Sequence, residues 1–179
     1  MVRRDPHRVA ARIVRDAGGS VVGRTRMQKI TYLAQLAGFP AEFRFDYRHY
    51  GPFSEELATG LDIASALGEL TEEVRVSDWG GTYSIYRLPR EQPPADPRRA
   101  AFLQKAKEIG AIELELAATA AFLFAEEGIG RDKPGNPWHE TRARKPQKAA
   151  EGRLEAAATA YADLRCLSTP KPLPELPPP

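Results

Sequence analysis

Residues 54–88 read SEELATGLDIASALGELTEEVRVSDWGGTYSIYRL, and the order of elements in this stretch decides the fold. Ser54 is an N-cap residue, and Glu55 and Glu56 behind it favour the positive end of a helix. Leu57, Leu61, Ala64 and Leu67 recur at helical spacing, and Gly68 ends the run. Two strand-like runs follow, Leu70 to Ser77 and Thr82 to Leu88, joined by the turn Asp78-Trp79-Gly80-Gly81. A helix leading into a β-hairpin is the closing half of a winged-helix pattern.

Two more helices precede this stretch. Asp5-Pro6 marks a helix start, with Val9, Ile13 and Ala17 on one face and Gly18-Gly19 at the end. Thr25-Arg26-Met27-Gln28 has the form of a capping box, so Thr25 is the expected cap. Met27, Ile30, Leu33 and Ala37 then line one face. Phe43-Arg44-Phe45-Asp46-Tyr47 alternates as a short strand, and Tyr50-Gly51-Pro52-Phe53 reads as a turn.

The second half reads as helical. Asp96-Pro97 is another helix start, and Ile112 to Ala125 is apolar nearly all round, interrupted by Glu115 and Thr119. Gly128 to Pro146 reads as a loop containing Trp138 and His139, before a last helix through Leu154, Ala157, Tyr161 and Leu164. Cys166, near its end, is expected to be packed. The expected fold is mainly α with a small β-hairpin, in the α+β class. Residues 1–90 form a winged-helix-like core, 91–97 a Pro-rich linker, and 98–167 a helical part packing on that core. Residues 168–179 are expected to be a disordered Pro-rich tail.

Composition narrows the function. The formal net charge of +2 over 179 residues excludes a polycation built for nucleic acid. Residues 1–29 are basic, counting Arg3 and Arg4, whereas 42–73 are acidic. The N-terminus lacks an apolar leader, no run suits a membrane span, and one cysteine precludes an internal disulfide. These features lead to an expected cytoplasmic protein without membrane contact.

His7, His49 and His139 share no metal-ligand spacing with each other or with Cys166, and no phosphate loop or nucleophile elbow is present. No cofactor, metal or catalytic residue is therefore assigned, and the expected class is a binding protein rather than an enzyme. Two segments invite a binding role. Phe43 to Phe53 gathers five aromatics; Phe43 and Phe45 suit the core, while Tyr47, His49, Tyr50 and Phe53 suit a partner-binding surface presented by the rigid Gly51-Pro52 turn. Trp138, ahead of Arg142, Arg144, Lys145 and Lys148, is a second partner-binding candidate, although anchoring its own loop is the simpler role.

The stretch Gly23 to Leu33, then Tyr50-Gly51-Pro52-Phe53-Ser54-Glu55-Glu56-Leu57, resembles the YwgA-like bacterial proteins and, more distantly, the Panacea or SocA-like antitoxins. Those families carry a T-x-L-Q-K-x-x-Y-L helix and a Y-G-P-x-S-x-x-L turn-helix, with Met27 here replacing leucine. Leu114 to Ala120 and Arg144-Lys145-Pro146 also fit the YwgA-like pattern. SocA-like antitoxins neutralise a toxin by protein contact or serve as proteolytic adaptors. The resemblance thus implies an antitoxin-like or adaptor module whose partner is a toxin or protease-like protein.

The alternative is a winged-helix DNA-binding regulator contacting DNA through Arg24, Arg26, Lys29 and the wing residue Arg75. The third helix argues against it. That helix begins with two glutamates and contains no Lys or Arg, so it would repel phosphates and release no counterions.

Overall fold

The computed structural model describes residues 5–179; Met1 to Arg4, including the basic Arg3 and Arg4 of the N-terminal reading, lie outside the described residues. The chain runs α1 (Pro6–Asp16), β1 (Ser20–Val22), α2 (Arg24–Leu36), β2 (Asp46–Arg48), β3 (Gly51–Phe53) and α3 (Glu55–Ala66). It continues through β4 (Thr71–Val76), β5 (Thr82–Arg87), α4 (Pro97–Lys107), α5 (Ala111–Ala125), α6 (Pro137–Arg144) and α7 (Arg153–Arg165). This is the expected α+β class. The larger sheet is antiparallel in the order β1-β5-β4, with Val21 opposite Tyr86 and Glu73 opposite Ile85. A separate two-stranded hairpin pairs β2 with β3.

Helix α1 lies against α3, and α2 sits between the sheet and the C-terminal helices α4 and α5. Met27, Ile30 and Leu33 on α2 are completely buried, as are Leu116, Ala117, Ala120 and Ala121 on α5. Alanines on α5 let its backbone approach its neighbours closely. One continuous apolar core runs from Val9 through Phe102 and Leu116 to Leu164. The two halves of the chain therefore share a core, with α4–α7 packed on the N-terminal elements.

Several local expectations hold. Ser54 caps α3 by accepting from the Leu57 N–H, and Asp96 caps α4 through the Arg98 and Arg99 N–H groups. Phe43 is buried and Phe45 stacks edge-on against Tyr32, at 5.2 Å between centroids. Others need correction. Thr25 does not cap α2: the helix opens at Arg24 behind Gly23, with no side-chain cap bond. The Gln28 side chain, the other half of the expected box, is drawn away to Ser54. The strand expected at Phe43 to Tyr47 forms later, as Asp46–Arg48, and the supposed turn at Gly51–Phe53 is its partner strand. Residues Pro137–Arg144 form a helix capped by Asn136 where a loop was expected. Leu67 and Cys166 are exposed rather than packed.

The largest correction concerns residues 168–179. They run along the body instead of leaving it. Leu173 is buried, and Lys171 N–H donates to the Ala37 carbonyl. Tyr161 Oη donates to Pro174 O, Asn136 Nδ2 to Pro178 O, and Arg165 Nε to Leu173 O. Prolines suit such a strap because they bring no N–H that must be satisfied, and their stiffness lowers the entropy lost on docking.

Candidate functional site

Three stretches far apart in sequence meet at the β2–β3 hairpin. The first is the buried pair Gln28-Lys29 on α2. The Gln28 amide holds both backbone groups of Ser54, with Nε2 donating to the carbonyl (3.0 Å) and Oε1 accepting from the N–H (2.8 Å). Lys29 Nζ donates to the Pro52 carbonyl at 2.7 Å. These bonds reach from one helix to the exit of the hairpin, and they are made out of contact with water.

The second stretch is on α5. Glu115 and Thr119 are both buried in an otherwise apolar helix. Gly51 passes over Thr119 so closely that a Cβ there would stand 2.5 Å from the Thr119 hydroxyl oxygen, and its φ of +88° suits glycine. The third stretch follows α6. Lys145 Nζ donates to Glu115 and to the His49 carbonyl, each at 2.8 Å, while Lys148 Nζ reaches both Glu115 oxygens at 2.8 and 2.7 Å.

Glu115 thus serves Lys145 and Lys148, and its charge is also felt by Lys29. Lysine cations outnumber carboxylates in this cluster. Burial is the main reason that the Lys29 ammonium is pulled down to about 7; Glu115 opposes the shift, and Lys145 and Lys148 reinforce it.

The outer surface of the site is aromatic and basic. Tyr50, at the hairpin tip, is 51% exposed. The His49 ring meets it edge-on at 4.7 Å, and Lys148 Nζ lies 4.7 Å from its centroid. Tyr47 is half-buried, between Phe122 at 6.1 Å and the Arg144 guanidinium at 4.8 Å. Burial pushes the Tyr47 phenol upward. Arg144 is itself held by Glu127 and Glu140 at 2.8 Å, and these bonds raise its pKa. Phe53 is half-buried beneath Arg48. His49, Arg144, Lys145, Pro146, Gln147 and Lys148 line a cavity of about 230 Å³ beside Tyr50.

Of the residues expected to bind a partner, Tyr47, His49, Tyr50 and Phe53 therefore lie on one hairpin. Trp138 does not join them at the surface. It is 2% exposed and packs edge-on against Tyr161, because Asn136 starts α6 and turns the indole inward. It anchors its segment on the core.

Of the residues of the DNA alternative, Arg24 and Arg26 line one cavity, but Lys29 does not reach the surface. Lys29 is 1% exposed and committed to Pro52. Arg24 is paired with Glu72 and Asp62, Arg75 with Glu73, and Arg26 holds the carbonyls of Lys107 and Ile109 at the α4–α5 junction. Among the described residues no group of three or more His, Cys, Asp or Glu could hold a metal ion. Nor is any described helix long and apolar enough to cross a membrane.

Sequence reasoning missed Gln28, Glu115 and Thr119 as parts of the site, and it named Lys145 and Lys148 only as a basic run behind Trp138. One signal was present: a glutamate inside a helix apolar on every face must be paired, because an isolated buried carboxylate is costly. Its partners are 30 and 33 residues away, so only the fold identifies them.

No protein-family model matches the chain. The chain is similar to a curated protein, the uncharacterized protein YwgA of Bacillus subtilis (strain 168), with 38% identity over 69 residues. That match takes in 38% of this chain and spans 40% of the length of the relative, which supports a YwgA-like resemblance over that stretch.

Proposed function

We propose that this chain is a non-catalytic protein-interaction module, antitoxin-like or adaptor-like, which engages a protein partner through the Tyr47–Phe53 hairpin. The observation that carries the reading is Tyr50. Its ring is half exposed at a hairpin tip yet braced by His49 and Lys148. The backbone on both sides of the tip is tied down from α2 and from the end of α6. An anchor held in this way loses little side-chain freedom on binding, and tyrosine combines a large contact area with a polar tip. Half-buried Tyr47 and Phe53 flank it with further aromatic surface. The N-terminal half is read as winged-helix-like, since α1, β1, α2 and α3, the last two joined through the β2–β3 hairpin, are followed by the β4–β5 hairpin, and β1 pairs with β5. The helix that would enter a DNA groove is α3, which carries no cation and packs on α1. This favours a protein partner, of toxin or protease type, over DNA.

The test is Tyr50→Ala measured twice, as melting temperature and as affinity for the partner that co-purifies with the wild-type chain in stoichiometric amount. The module reading expects an unchanged melting temperature and an affinity lower by roughly 2 kcal/mol or more. A sharp loss of stability with full binding by the remaining folded protein would assign Tyr50 to the fold instead.

A further inference from the structure

We propose that the cavity beside Tyr50, lined by His49, Lys145, Gln147 and Lys148, is an oxyanion site that takes a phosphate group. The proposal goes beyond partner binding and does not depend on the partner. Its first support is the charge balance of the cluster. Lys145 and Lys148 both pair with one buried carboxylate, Glu115, and the buried Lys29 interacts with the same three charges, so cations outnumber carboxylates in the cluster. A surplus buried charge is costly, and an anion at the open end would offset it.

The second support is the inventory of donors. Lys145 gives two of its three ammonium protons, to His49 O and Glu115, and Lys148 gives two to the Glu115 oxygens. Each retains one. Lys145 is itself 7% exposed, so its ammonium is held in place rather than waving in solvent. The Gln147 and Lys148 backbone N–H groups donate to no protein atom among the described residues, and Pro146 before them has no N–H. The His49 imidazole packs on Tyr50. Successive free N–H groups beside cations make an anion-binding concavity.

The third support is size and valence. A cavity of about 230 Å³ has room for several times the roughly 30 Å³ of one water molecule, but falls below the range of about 300 Å³ and above that drug-sized ligands occupy. Its lining residues Lys145, Gln147 and Lys148 offer more than two donors. A carboxylate has two oxygens to meet them, whereas a phosphate presents three or more. Glu127 and Glu140 are committed to Arg144, and the one carboxylate on the lysine side is Glu115, already bonded to Lys145 and Lys148.

The experiment is a titration of the full chain with inorganic phosphate, at constant ionic strength maintained with chloride, followed by ¹H–¹⁵N spectra. A parallel titration uses a short peptide carrying phosphoserine. The proposal expects saturable shifts centred on the Gln147 and Lys148 amides. In Lys148→Ala, shown by its melting temperature to be folded, phosphate binding should be about tenfold weaker or worse, the loss expected for one charge-assisted contact. Saturation by both probes supports a site that accepts a phosphate carried on a chain, and saturation by inorganic phosphate alone supports a site for the free ion. No saturable shift at these amides with either probe, or equal shifts when chloride replaces phosphate, would overturn the proposal, as would unchanged affinity in folded Lys148→Ala.

Discussion

The molecule contains two β-hairpins built on opposite plans. The β4–β5 hairpin is longer, with six residues in each strand. Its ladder is regular, and β1 supports its base. Beyond that base it stands in solvent: Val74, Val76 and Trp79 are 64%, 73% and 83% exposed. The tip is held by its own atoms: Gly80 N–H donates to Ser77 O, and Ser77 N–H and Oγ both donate to Gly81 O. The β2–β3 hairpin has only three residues in each strand. It cannot be stable on its ladder alone. Gln28, Lys29 and Lys145 supply what the ladder lacks, each bonding a backbone group of the hairpin or its exit from a remote element. The contrast teaches where rigidity comes from. A hairpin that has to present side chains in a fixed geometry is tied to the core by side chains, whereas a regular ladder fixes only the strands relative to each other.

The glycines of the two hairpins put the sharpest test on this contrast. Gly51 has φ +88° and a Cβ there would meet Thr119 Oγ1 at 2.5 Å, whereas Gly80 has φ +86° with nothing within 4 Å. Gly51→Ala combines left-handed strain with overpacking and should cost roughly 2–5 kcal/mol. Gly80→Ala carries the strain alone, about 1–2 kcal/mol. Equal costs in chemical denaturation would break the distinction, since the two backbones are alike and only the packing differs.

A smaller effect is expected from the polar ties. Gln28→Ala leaves the buried Ser54 N–H without a partner and opens a small void, so a loss of roughly 2–3 kcal/mol is expected. The matching change on the exposed hairpin, Ser77→Ala, removes a part-buried bond at the tip and should cost less, about 1 kcal/mol. Urea midpoints of the two variants measure the difference directly. Similar midpoints would mean that the β2–β3 hairpin is no more firmly tied than the other.

The smallest effect, and the most specific, is a pH slope due to Lys29. In the folded chain its ammonium loses its proton near 7, against an ordinary value of 10.5 when unfolded. Below 7 both states hold the proton and this group adds no slope. Above 7 the unfolded chain binds more protons, so stability rises with pH until the unfolded lysine also titrates, by at most about 1.4 kcal/mol per pH unit. Lys29→Met lacks this term. The stability of the wild type relative to Lys29→Met should therefore increase from neutral pH towards 10, and parallel curves would show that Lys29 stays protonated in the folded chain.

Much of this architecture was legible in the sequence. Helical spacing places α1 to α5 and α7, and Ser54 and Asp96 announce their caps because an N-cap is a local bond between near neighbours. The β4–β5 hairpin follows from alternation around a Gly-Gly turn. The aromatic cluster at Phe43 to Phe53 was also visible, with Tyr50 as its most exposed member. The failures share a cause. Thr25 reads as a cap, but Gly23 starts the helix and Gln28 is engaged by Ser54, 26 residues away. Trp138 was open to a partner-binding role, and its packing on Tyr161 gives it the simpler one of anchoring its segment on the core. The tail reads as free chain, yet Leu173 finds the core and prolines cost little to order there.

By itself, then, the sequence determined what local chemistry can encode: the helices, the exposed hairpin, the α+β class, and the acidic start of the third helix. Tertiary structure alone decided that Gln28-Lys29, Glu115-Thr119 and Lys145-Lys148 converge beneath Tyr50, and that one carboxylate is shared among the lysines. The physical reason is range. Capping and periodicity act within a few residues, whereas a buried charge must find partners wherever the packed core brings them, and spacing along the chain carries no record of that encounter.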